Sequence, residues 1–391
     1  MQKNKIALII GASLLFGITA CQPPADKTDP SDATSTSTQT ATPPSTQPLI
    51  EAKTPKQLTT ALVDSSADRL REQLICSKLD DNINAVDHTS KIESLRAVQR
   101  QLAACLPAAD NAEVLQWLAD YQVMYARFLQ SDSSIDDEDF FTVMSNVEQG
   151  KSIAVAQLRK ISPRARYLIG LIRSNADVSI RYMGANDFEF HHDLSAMADI
   201  FTPYLPDDQS EFIQRMAQDN QELFWFDAAI AFSFEELVER AVFWEDFMKR
   251  YPQSNFYNDA KALFDTYRYL LFFGSENTQW FDDDLRKFYI PADERLMMQL
   301  TERTDSQLAQ DVQKLLVFMQ QSDDERHQSY PVPDKDENGR KINAWQVTHY
   351  QLGQALAISS PWDSVRDRNC LHGIICVDET SQQIKRSNKN S

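Results

Sequence analysis

The chain has 391 residues, with 57 acidic against 39 basic side chains and a net charge of −18. Nucleic-acid backbones and anionic membrane leaflets both reward Lys and Arg, so this balance excludes a nucleic-acid partner and argues against lying flat on such a leaflet. Beyond residue 50 the chain is long enough for one large helical domain or two smaller ones.

Lys3 and Lys5 precede an apolar run over residues 6–16. A basic segment followed by an apolar run too short to span a bilayer predicts a secretory signal. The run leads into Ile18-Thr19-Ala20-Cys21, an aliphatic residue, small residues and then a cysteine. This stretch resembles the lipobox of bacterial lipoproteins. The resemblance implies a signal peptide over residues 1–20, cleavage before Cys21, and acyl chains such as palmitate on that cysteine. Such chains anchor a protein to a membrane without any transmembrane helix. Gln22 stands where the class carries Asp for inner-membrane retention, which implies the outer membrane, with the protein facing the periplasm. Residues 21–50 are dominated by Thr, Ser, Pro, Ala, Asp and Gln. They cannot bury enough apolar surface to offset ordering, so they predict a disordered tether.

Five cysteines occur. With Cys21 assigned to lipid, Cys76, Cys105, Cys370 and Cys376 remain, and an exported chain favours two disulfides among them. Three pairings are open, and nearness in sequence selects Cys76 with Cys105 and Cys370 with Cys376. A tight hairpin of helices over 56–80 and 89–106 conflicts with the first pair, because helical rise would hold the sulfurs ~15–20 Å apart. The absence of Cys-x-x-Cys spacing leaves a metal role for these cysteines poorly supported.

From residue 51 to 322 the 3.6-residue period dominates. Val114, Leu115, Leu118, Tyr121, Tyr125, Phe128 and Leu129 form one apolar stripe. Similar stripes run through 162–183, 207–230, 234–250, 256–273 and 291–303, and Leu308, Val312, Leu315, Leu316 and Met319 form the last. Breakers fall between them at Pro163, Pro206, Pro252 and Pro291, where helices start with Pro in the first turn. Sustained apolar–polar alternation is nearly absent and only 9 glycines are available for tight turns. The expected fold is all-α, a multi-helix domain of stacked helical hairpins with an irregular solenoid as one way of stacking them.

Within this domain, Phe234, Leu237, Val238, Ala241 and Met248 precede Arg250-Tyr251-Pro252 and Ser254, followed by Tyr257, Asp259-Ala260 and Phe264. The order resembles one tetratricopeptide-type hairpin of the envelope version with a Tyr-Pro-x-Ser turn. It covers residues 233–274, and no second copy is evident. Repeats of this kind need neighbours to bury their faces. Residues 323–391 carry Pro331, Pro333, Pro361 and an Asn338-Gly339 pair, and predict an irregular, disulfide-pinned extension packed over the helices.

Acidic clusters at 136–139, 282–284 and 323–325 are assigned to helix N-termini, where carboxylates meet the positive end of the dipole. Asp334, Asp336 and Asn338 match the opening of a calcium loop. Its twelfth position, which needs a bidentate acid, is Trp345, so a turn between short strands is preferred. His191 and His192 sit among Asp187, Glu189 and Asp193, yet adjacent residues point to different faces, so a polar loop or helix start is preferred over a metal site. Trp225, Tyr257, Tyr267 and Trp280 are the aromatic candidates for a binding groove, interleaved with Glu222, Asp227 and Glu235. Core packing is the commoner use of such residues.

The sequence holds no Gly-rich phosphate loop, no G-x-S-x-G and no free thiol, so no catalytic residue and no cofactor is assigned. The expected function is a lipid-anchored, non-catalytic binding or scaffold module for another envelope protein or the peptidoglycan. The alternatives are a peptidoglycan-acting enzyme or accessory factor, and a solute-binding lipoprotein, which would need a deep apolar pocket.

Overall fold

The computed structural model describes residues 74–131, 137–174, 176–184, 187–335, 339–362, 370–371 and 373–376. The segments expected to be signal and tether, together with Cys21, Asp336 and Asn338, lie outside them. Among the described residues the fold is all-α, with fourteen helices and two small two-stranded sheets. No helix there is long and apolar enough to cross a membrane.

Residues 74–76 are helical and lead through a short turn into α1 (Leu79–Ala85), followed by α2 (Ile92–Cys105) and α3 (Asn111–Phe128). The first helical arm runs on to Ala85, past its expected end at residue 80, so the chain reverses at 86–91. Cys76 and Cys105 therefore both lie well back from the reversal and join in a disulfide, with Cα atoms 5.7 Å apart. Asp110 starts α3 with a capping box, exchanging hydrogen bonds with Glu113, both 2.9 Å. The α3 stripe of Val114, Leu118, Tyr121, Tyr125 and Phe128 is buried in the main core.

Next come α4 (Glu138–Glu148), α5 (Val155–Leu158) and α6 (Pro163–Ile172), the last capped by Ser162. The stripe expected to run to residue 183 stops here. Residues 178–192 instead form the antiparallel strands β1 (Val178–Gly184) and β2 (Asp187–His192), with Ile180 opposite Phe190 and Tyr182 opposite Phe188. β-branched and aromatic residues at alternate positions favour a pleated surface over a helix. That face covers a second, smaller core of Phe140, Val143, Met144, Ile161 and Ile169.

After α7 (Leu194–Phe201) and α8 (Asp207–Asp219), the 207–230 stripe also stops early. Two-residue strands β3 (Trp225–Phe226) and β4 (Ala229–Ile230) pair across Asp227-Ala228. Both turn residues have positive φ, 50° and 59°, the geometry whose twist matches a hairpin. The long pair α9 (Phe234–Arg250) and α10 (Tyr257–Phe273) follows. Tyr251 in the connection donates a 2.9 Å hydrogen bond to Glu211 of α8, which also holds Arg250. Between α8 and α9 lies a buried ionic seam. Asp219 sits 2.7 Å from Arg215 Nε and 3.7 Å from Arg240 Nε, and the Arg240 guanidinium stacks 4.1 Å over the Phe232 ring. Burial pushes the Asp219 carboxyl up to about 6, against the pull of both guanidiniums.

The chain continues through α11 (Pro291–Leu300), α12 (Gln307–Gln320), α13 (Asp323–Ser329) and α14 (Ala344–Leu356). The C-terminal part is thus more regular than expected, since α14 is a full helix packed on α12. Asp137 caps α4, and Asp323, Asp324 and Glu325 occupy the first turn of α13, as helix N-terminal charges should. The 282–284 cluster differs: it lies in a loop, where Asp282 accepts the backbone N–H groups of Arg286 and Lys287. The Cys370–Cys376 disulfide closes a short loop held to α3 and α8. Gln122 Oε1 accepts the N–H groups of Ile374 (2.7 Å) and Ile375 (3.2 Å), and Asn220 donates to the Gly373 carbonyl (3.1 Å). Gly373 is needed for this approach, because a Cβ there would lie 3.0 Å from the Gln122 amide at a φ of +148°.

Candidate functional site

A concavity of about 1040 Å³ lies where β3, the end of α10, α14 and residues 358–362 meet. Its geometry follows from local rules. Tyr269 and Phe273 are four apart on α10 and therefore share a face, with rings stacked at 4.6 Å. Gly274 ends α10 at φ +65°, where a Cβ would fall 2.1 Å from the Thr278 carbonyl, so only glycine allows the chain to fold back here. The returning loop straps the β3–β4 turn: Asn277 donates to the Asp227 carbonyl, and Thr278 Oγ1 accepts the Ile230 N–H at 2.9 Å. Trp225 is thereby fixed beside the end of α10.

The opposite wall comes from α14, which starts at Asn343 in a capping box with Gln346. Trp345, His349 and Tyr350 lie at helical spacing along the groove. Ring contacts run without a break from one wall to the other. Trp225 meets Trp362 at 5.7 Å, Trp362 meets Tyr269 at 6.1 Å, Phe273 meets His349 at 6.3 Å, and His349 meets Trp345 at 3.9 Å. The wall is open to solvent, with Trp345 40% and Tyr350 48% exposed.

Polar groups punctuate the aromatic surface. His349 Nδ1 lies 2.9 Å from the Trp345 carbonyl, which can only accept, so Nδ1 carries the proton and Nε2 the lone pair. Burial lowers the His349 pKa, which keeps the ring neutral. Gln354 Nε2 donates to the Pro331 carbonyl at 2.9 Å, leaving Oε1 as an acceptor. Burial also raises the Tyr269 pKa, so its hydroxyl stays a donor. Glu276 is the single charged residue among the described residues lining the groove.

Of the four aromatic candidates, Trp225 lines this groove and the others do not. Tyr267, 2% exposed, points into the core against Arg240, and Trp280 is buried with its indole N–H donating 2.8 Å to the Leu270 carbonyl. Tyr257 starts α10, at the opposite end from Tyr269 and Phe273. Glu222, Asp227 and Glu235 are absent from the lining. Trp345, Trp362, His349 and Tyr350 carry the site yet were not among the candidates. Their one signal in the sequence is the helical spacing of Trp345, His349 and Tyr350.

The remaining candidates do not converge. His191 and His192 close β2 and leave opposite faces of the strand. His192 is 4% exposed and stacked on Tyr125 at 3.4 Å, and burial pushes its pKa down to about 3. Neither belongs to a metal-sized cluster of His, Cys and carboxylates among the described residues. The one such cluster is Asp259 with Cys370 and Cys376, whose sulfurs are already bonded to each other. At the calcium-like segment, Lys335 and Lys341 form an isolated antiparallel bridge. Asp334 precedes that bridge, and the twelfth position, Trp345, belongs to the aromatic wall. Comparison with protein-family models, curated proteins and solved structures finds no significant match.

Proposed function

We propose that this chain is a lipid-anchored, non-catalytic binding module of the cell envelope. In this reading it is exported, lipidated on Cys21 and held to the outer membrane facing the periplasm, and its aromatic groove engages another envelope protein or the peptidoglycan. The observation that carries the binding role is the continuous ring wall from Trp225 to Trp345, left open where an ordinary core would be covered. Large apolar surface costs free energy in water unless something covers it, and exposed patches of this kind mark interaction sites. The anchoring rests on the Lys3–Cys21 segment alone. A solute-capturing role would favour an enclosed pocket, whereas the Trp345 and Tyr350 side of this groove faces solvent.

Two experiments test the reading. Growth with an alkyne-bearing palmitate should label the native protein, and Cys21→Ala should abolish the label. An unlabelled native protein overturns the anchor. Crosslinking in intact cells followed by pull-down should enrich one envelope component, and Trp345→Ala with Trp362→Ala should lose it while the melting curve stays unchanged. Equal enrichment by the double variant would remove the groove from the proposal.

A further inference from the structure

Resting on the binding-module reading, we infer that the groove takes a neutral saccharide chain. Charge narrows the ligand first. Among the described residues the lining holds one carboxylate, Glu276, and no Lys or Arg, and the whole chain is at −18. An acidic ligand would find no cation among these described lining residues and would meet the repulsive field of the net negative chain.

Hydrogen-bond chemistry narrows it further. Aromatic grooves also receive proline-rich peptides, and the two ligand classes differ in what they donate. The described lining offers three acceptors: the exposed Glu276 carboxylate, and His349 Nε2 and Gln354 Oε1, whose companion nitrogens are already hydrogen-bonded. Proline has no N–H, so a proline-rich segment offers carbonyls and leaves those acceptors unanswered, at a free-energy cost. Sugar hydroxyls both donate and accept. They answer the three acceptors and also receive hydrogen bonds from the Tyr269 hydroxyl and the Gln346 amide, whose oxygen is already held in the α14 cap. The C–H faces of a sugar ring are flat and apolar, and they suit the exposed faces of Trp345 and Tyr350.

The test is titration of the full chain with a soluble oligomer of N-acetylglucosamine and, in parallel, with an oligoproline peptide, read by calorimetry and tryptophan fluorescence. Saturable saccharide binding is expected. Trp345→Ala should weaken it about tenfold or more, the loss typical of an aromatic anchor. Glu276→Gln should weaken it less, and Tyr257→Ala, at the far end of α10, should leave it unchanged. Unchanged melting of Trp345→Ala excludes misfolding as the cause. Peptide binding that depends on Trp345, with no saccharide binding, overturns the saccharide while leaving a binding module. If neither ligand binds but the envelope pull-down still depends on Trp345 and Trp362, the saccharide also fails alone. If that dependence is lost as well, both inferences fall.

Discussion

Tyr267 and Tyr269 stand two positions apart on α10, and the helix turns them to opposite sides. Tyr267 meets α9 and the Arg240 guanidinium in the core, while Tyr269 stacks on Phe273 in the groove wall. The inner side of α10, with Leu263, Leu270 and Leu271, is sealed. The outer side is bordered by β3, α14 and Trp362 and stays open. Aromatic density alone therefore separates nothing here. What separates core from groove is whether another element of the same chain covers the ring.

The strongest way to break this comparison is to truncate both tyrosines. Tyr267→Ala should cost about 3–5 kcal/mol in denaturant unfolding, as expected for a buried aromatic. Tyr269→Ala should cost about 1 kcal/mol while reducing groove binding. Equal stability losses would mean that the groove wall is core after all. Next in size is the Cys76–Cys105 bridge: paired alanine substitution should lower stability by about 3 kcal/mol through release of the denatured chain, with groove binding retained.

Acidity sharpens the contrast inside the core. His192 is held neutral with a pKa near 3, below its ordinary 6.5, so its unfolded form binds a proton first. Stability is then complete above pH 6.5 and falls by about 1.4 kcal/mol per pH unit from 6.5 toward 3. Asp219 acts in the opposite sense. Its folded pKa of about 6 lies above the ordinary 3.8, so stability falls as pH rises from 3.8 to 6. The two slopes oppose each other across their shared window. His192→Phe should flatten or reverse the acid loss, and Asp219→Asn should steepen it, each read from urea midpoints between pH 4 and 7. A wild-type profile left unchanged by either variant would remove that residue from this account. The smallest effect should be Trp345→Ala, within about 0.5 kcal/mol on stability because the ring is exposed.

The long helices were legible because their apolar stripes and caps agree. Residues 234–250 read as a helix, and α9 has those bounds, with Ser233 as its cap. Residues 178–192 were misread because each strand alternates over few positions and follows a strongly helical segment. The groove was less legible than the helices. Its walls come from residues 225, 269–276 and 345–362, which no periodicity relates. In the sequence Trp345 figured as the wrong residue in a calcium-like loop, although on α14 it ends the chain of ring contacts that forms the wall. Tyr267 and Trp280 resembled groove residues because composition does not record which side of a helix is covered.

The loop closed by Cys370 and Cys376 has a bearing on quality control. It presses Ile374 and Ile375 into the core and occupies hydrogen-bonding groups of Gln122 and Asn220, far earlier in the chain. A product truncated before residue 370 would retain the sequence of every helix from α1 to α14, yet it would leave that apolar socket empty and those amides without the loop's partners. Such a molecule should open locally more often and be cut faster by proteases than the complete one. The Cys370–Cys376 loop thus ties together parts of one core that lie far apart in the sequence.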